Sequence, residues 1–223
     1  RRERFVRTET AIQWDALAAG VNERDRRLRA VIIFARFIHA DDQRNEIPPG
    51  GVFPARRVQR TPYPFTTTQV DELLKLAARL GPMGSLRPST YSTLLGLLAA
   101  AGLRISEALG LRLGDLGADG LLIRATKFRK SRLVPLHPSC TAALDRYLAR
   151  RRGLAGAEDN LFVSLQGNGL RYSTVNATFL ELVREMVVHP GPGLVGPRLH
   201  DLRHYFAVIA LEACPPDTRI ITK

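Results

Sequence analysis

The run Pro197-Arg198-Leu199-His200-Asp201-Leu202-Arg203-His204-Tyr205-Phe206-Ala207 sets an imidazole and a guanidinium three positions apart. Leu199, Leu202, Phe206, Ile209 and Ala213 recur beside them at steps of three and four, which predicts a helix burying one stripe. His200 and Arg203 then stand on the adjoining row, at the rim of a core. A forked guanidinium grips phosphate or carboxylate through two donors, and an imidazole moves protons near neutral pH. The run also holds His200 and His204 at i,i+4 with Asp201 between them, close to the HExxH pattern of zinc helices. Aspartate shortens the general base of that pattern, and Glu212 and Cys214 are the only nearby extra ligands. A zinc hydrolase is therefore the remote alternative, and phosphate chemistry or a plain salt bridge ranks ahead of it.

Two other stretches place charge where it needs a partner. Arg104 follows an apolar run broken by Gly102, and a cation at such a bend requires an anion, since burying an unpaired charge is costly. Glu107 supplies one at i+3, and a simple satisfied pair is the plainer explanation. Further on, residues 121–126 and 131–136 predict two short strands joined through Lys127-Phe128-Arg129-Lys130. Arg124, Lys127, Arg129, Lys130 and Arg132 are met by no acid in that span, which suits either a solvated edge that discourages strand pairing or contact with a polyanion.

These residues belong to a chain of 223 with 33 Lys and Arg against 21 Asp and Glu, net +12, and all but four of the bases are arginine. Such a balance makes nucleic acid the leading partner, with arginine-rich coding bias as the plainer source. Residues 1–60 carry 13 bases and 8 acids, net +5, leaving 20 and 13, net +7, for the rest. Cys140 and Cys214 form no CxxC and are expected to be packing thiols of a reducing interior. The longest apolar run, about ten residues, is too short to span a membrane, and no signal-peptide layout opens the chain. A soluble, cytoplasmic protein is expected.

The positioning elements follow from periodicity. Residues 5–46 predict a short helix with Trp14 and Leu17, then a longer one with Leu28, Val31, Ile32, Ala35, Phe37 and Ile38. Its outer face carries Arg24, Arg27 and Arg29, suited to DNA or to solvent. Prolines and glycines break regular structure across 48–64, the expected linker. Thr66 to Gln69 fits a capping box, after which Val70, Leu73, Leu74, Ala77 and Leu80 share a face. A helix over 90–101 is apolar on most sides and so central. Helices are expected from Pro138, with Arg150-Arg151-Arg152 suiting the negative end of its dipole, and from a Ser173 cap, with Leu161-Phe162-Val163 as a short strand and a loop at His189-Pro-Gly-Pro-Gly.

Four stretches together, Gly102-Leu-Arg-Ile-Ser-Glu-Ala-Leu109, Lys127-Phe-Arg-Lys-Ser-Arg-Leu-Val-Pro-Leu136, Leu161-Phe-Val163 and Leu199-His-Asp-Leu-Arg-His-Tyr-Phe-Ala207, resemble the tyrosine recombinase (phage integrase) family. The similarity runs from about Phe65 to Leu211 and is weaker before the linker. It implies a mainly α fold with a small antiparallel sheet (α+β), with a helical core-binding, DNA-binding domain at 1–47. A catalytic domain at 65–223 would follow, incomplete after the His-x-x-Arg helix. By motif position Arg104 and Arg203 are the catalytic arginines, Glu107 the supporting acid, Lys127 the hairpin lysine and His200 the motif histidine. Arg24, Arg27, Arg29, Arg129, Lys130 and Arg132 are candidate DNA contacts.

The family breaks and rejoins duplex DNA through a 3′-phosphotyrosyl link, as in integration of mobile elements. No cofactor and no metal are implied, because arginine does the charge work. The nucleophilic tyrosine would come from helices past the motif, and no tyrosine follows Tyr205. Tyr205 itself lies about 200° round the helix from Arg203 and is expected to pack. The chain is thus expected to be truncated or decayed, binding duplex DNA without cleaving it unaided. A non-catalytic DNA-binding regulator is the alternative. Complete family members assemble as tetrameric synapses; this chain is expected to be monomeric.

Overall fold

The computed structural model describes residues 4–54, 61–124, 131–154, 158–186 and 196–214. The chain divides into two compact units, Arg1–Arg60 and Thr61–Lys223.

The first unit packs α1 (Thr8–Ala16) against α2 (Val21–Asp41). In α2 only Leu28, Ile32 and Ala35 are buried, an i, i+4, i+7 seam. Trp14, Leu17 and Phe37, three of the apolar residues that marked these helices, are 51, 80 and 72% exposed. A two-helix unit has a single seam to fill, and these side chains lie off it. The segment after α2 is tied back by Asn45 Oδ1, which accepts from Val6 N (3.0 Å), and by Glu46, which accepts from Thr8 N (2.9 Å).

The core of the second unit begins at Tyr63 and Phe65, both buried with ring centroids 5.0 Å apart, so part of the stretch expected to be linker is packed. Helix α3 (Thr67–Ala77) starts with the expected capping box of Thr66 and Gln69 and buries Val70, Leu73 and Ala77. Helix α4 (Arg87–Ala101) buries Tyr91, Leu94, Leu95, Leu97, Leu98 and Ala99. A helix apolar on so many sides needs neighbours all round, and α3, α6 (Pro138–Arg151) and α8 (Leu199–Glu212) supply them. Short α5 (Ile105–Gly110) and a 3₁₀ turn (Leu113–Asp115) lead into a three-stranded sheet, β1 (Leu116–Gly117), β2 (Gly120–Ile123) and β3 (Arg132–Val134), in that order. Both pairings are antiparallel, with Leu122 opposite Leu133 and Ile123 opposite Arg132. This is the expected fold class, although β1, two residues long, carries no periodic signal. Among the described residues no helix is long and apolar enough to cross a membrane.

Several expectations need correction. Leu161, Phe162 and Val163 are buried but form no strand; isolated bridges join Arg112 to Asn160 and Val163 to Gly169. Their backbone is satisfied piecemeal, Leu161 N by Leu111 O (2.7 Å) and Val163 N by Tyr147 Oη (3.3 Å). Helix α7 (Tyr172–Glu185) starts from Arg171 rather than a Ser173 cap. At the end of α6, Arg151 is buried and donates to the carbonyls of Glu158 and Asn160, so it closes a loop instead of only facing the helix dipole. On α8 the apolar stripe is buried at Leu199 and Leu202, whereas Ile209 is 40% exposed. Cys140 is half-buried and Cys214 exposed, so only the first is a packing thiol. The loop expected at His189 lies outside the described residues.

Candidate active site

The site is built on the joint between α4 and α5. Gly102 ends α4 in the left-handed region (φ 58°, ψ 30°), a conformation that costs glycine little. A Cβ there would lie 2.2 Å from a ring carbon of Phe206, so a bare backbone is what lets α8 close on the joint. Across this contact Arg203 Nη1 donates to Gly102 O at 2.6 Å. Two residues after the glycine, Arg104 caps α5. Its backbone N–H donates to Glu107 Oε2 (2.9 Å) and its Nη1 to Oε1 (2.9 Å).

Arg132, at the head of β3, closes the cluster: its Nη1 donates to Glu107 Oε1 (3.1 Å) and its Nη2 to Oε2 (2.8 Å). The Glu107 side chain is 8% exposed, against 43% for Arg104 and 37% for Arg132. Burial pushes the Glu107 carboxyl up, but hydrogen bonds from Arg132 and from the backbone and side chain of Arg104 outweigh it and hold it down at about 2. A folded-state value below the ordinary 4.5 means stability that is complete above about pH 4.5 and is lost as pH falls toward about 2. Wild type should therefore lose stability to acid more steeply over that window than Glu107→Gln, read from urea unfolding at stepped pH. Parallel curves would deny Glu107 this linkage.

The Arg203 cation is disfavoured by burial and by the charges of Arg104 and Arg132, with Glu107 opposing them. Arg104 and Arg132, which share the Glu107 carboxylate, thus bear electrostatically on an arginine from a distant part of the sequence. His200 stands one turn before Arg203, largely open to solvent; the partial desolvation it does undergo lowers its basicity, as do the charges of His204 and Arg203, which favours the neutral imidazole. The His200 and His204 rings meet edge to face, centroids 5.0 Å apart. Among the described residues no group of three His, Cys, Asp or Glu could hold a metal ion. Glu212 follows His204 by about 12 Å of helix rise, too far to join the pair.

An open pocket of about 530 Å³ adjoins the cluster, lined in part by Arg104, Ser106, Arg112 and Arg124. The Asp115–Arg124 ion pair on its wall had no sequence signal beyond Asp115 standing three residues after Arg112. Tyr205 packs against the core, and its hydroxyl donates to Thr67 Oγ1 (3.2 Å). Lys127, Arg129 and Lys130 lie outside the described residues. In the first unit Arg24 Nε donates to Ala18 O (2.8 Å), Arg27 pairs with Glu23 (3.2 Å) and stacks over Trp14, and Arg29 pairs with Asp25 (2.9 Å). All three are locally partnered.

The model of the phage integrase family matches residues 64–221. The chain is 39% identical over 92% of its length to y4rB of Sinorhizobium fredii, which carries an integrase/recombinase name, and covers 69% of that protein. It is 30% identical over 84% of its length to the tyrosine recombinase XerD of Brucella abortus, covering 62% of it. Among solved structures, XerH site-specific recombinase bound to palindromic difH substrate superposes with a TM-score of 0.65 at 16% identity, covering 93% of this chain and 60% of that one.

Proposed function

Because the chain belongs to the phage integrase family, we propose that it holds duplex DNA and carries the cationic half of a strand-breaking and rejoining site. Arg104 and Arg203 take the nonbridging oxygens of the scissile phosphate, where charge builds in the five-coordinate transition state. Glu107 aims Arg104. A tyrosine supplied from another segment attacks phosphorus; the 3′-phosphotyrosyl bond forms as the bond to the 5′-oxygen breaks. Lys127 protonates that departing oxygen, and His200 receives the proton of the tyrosine. The helical unit at 1–47, with Arg24, Arg27 and Arg29, adds backbone contacts to the duplex, as do Arg129 and Lys130. Integration of mobile elements in the cytoplasm is the setting that fits this chemistry.

The observation that carries the reading is the Arg203 bond to Gly102 O, 2.6 Å, which gathers the His-x-x-Arg helix to the turn bearing Arg104. Fluorescence anisotropy with a mixed-sequence duplex tests it. Affinity should fall steeply with salt, with a log–log slope of roughly −0.9 per neutralised phosphate. A flat salt response would sink DNA binding. On a nicked suicide substrate this chain alone should leave no covalent adduct, and trapping one would overturn the assignment of the nucleophile to another segment.

A further inference from the structure

An acid that only oriented Arg104 would cancel its charge, leaving a neutral pair where a phosphate is to bind. The structure adds a second base to the same carboxylate. Arg132 engages both oxygens of Glu107 in a fork, at 3.1 and 2.8 Å, whereas Arg104 commits one side-chain nitrogen, at 2.9 Å. Among the described residues Glu107 is the only side-chain partner of Arg104, so the rest of that guanidinium is open to a ligand. Pairing of Ile123 with Arg132 fixes the backbone of the fork in the sheet.

We propose that Arg132 is a positioning residue that clamps Glu107 and answers its charge, so that Arg104 is oriented without being neutralised. This rests on reading Arg104 as a phosphate ligand, and it gives Arg132 a role through Glu107 in place of direct contact with DNA. A lysine could match the charge but not the fork.

The chain as it stands, titrated with a mixed-sequence duplex at low salt, tests the idea by double mutants. Arg132→Ala should bind about tenfold more weakly, and adding Glu107→Gln should return affinity to within about threefold of wild type. Glu181→Gln, an exposed acid on α7, should not rescue. Failure of Glu107→Gln to restore binding, or a Glu181 rescue equal to that of Glu107, would show a direct or merely global charge effect and overturn the proposal. If Arg132→Ala does not fold by circular dichroism, Arg132→Lys replaces it: a partial loss rescued by Glu107→Gln supports the clamp, and wild-type affinity refutes it. Absence of DNA binding by wild type would instead remove the functional reading beneath it.

Discussion

Gly102→Ala is expected to lower the unfolding free energy of the second unit by about 2–4 kcal/mol, through a left-handed residue given a side chain and a methyl driven into a packed ring. The added Cβ would meet the Phe206 ring at 2.2 to 2.9 Å, far inside contact distance, and Phe206 stands on the helix that carries His200 and Arg203. Relief requires the Phe206 ring to turn out or α8 to shift, and a shift of α8 strains the 2.6 Å bond from Arg203 to Gly102 O. Stability and phosphate binding should therefore fall together. Gly110→Ala is the control, because a Cβ there meets nothing within 4 Å. Urea unfolding reads the first effect and duplex titration the second; a Gly102→Ala protein as stable as the Gly110 control would show that the joint is not tight.

Arg203→Lys should be the more damaging change for chemistry. In a chain extended to supply a tyrosine nucleophile, strand cleavage is expected to drop about 10²–10³-fold, the usual cost of removing one donor aimed at developing charge. Arg203 serves two masters: one nitrogen holds Gly102 O while the rest of the fork is available to a phosphate oxygen. A lysine has one ammonium and must choose. Duplex affinity should change less than about tenfold, since the charge persists. Cleavage within about threefold of the parent would remove Arg203 from the catalytic machinery.

Much of the fold was legible because its signals are local. The capping box at Thr66, the apolar run of α4 and the break at Gly102 each follow from the order of neighbouring residues, and each stands where expected. Failures occurred where neighbours decide. Trp14 and Phe37 have the types of core residues, yet a two-helix unit offers them no second seam. Leu161 to Val163 has strand composition, but its donors are met by a loop carbonyl and a tyrosine hydroxyl, so no ladder forms. Arg151 suits the negative end of a helix dipole by its place in the sequence, and in the fold it is the donor that pins two carbonyls.

The candidate site divides in the same way. Residue type and spacing marked Arg104, Glu107, His200 and Arg203 as candidates, and the resemblance of their motifs to the family placed phosphate chemistry ahead of a plain ion pair. They could not say that Arg132, 25 positions from Glu107, turns its fork to that carboxylate. Nor could they say that Arg203 anchors on a carbonyl 101 residues upstream. Both contacts cross between elements whose approach is set by packing: β3 by its pairing with β2, α8 by a glycine that leaves room for a phenyl ring. Sequence determined which groups are candidates for the chemistry; tertiary structure decided which charges share a partner, because that depends on distances that no spacing along the chain contains.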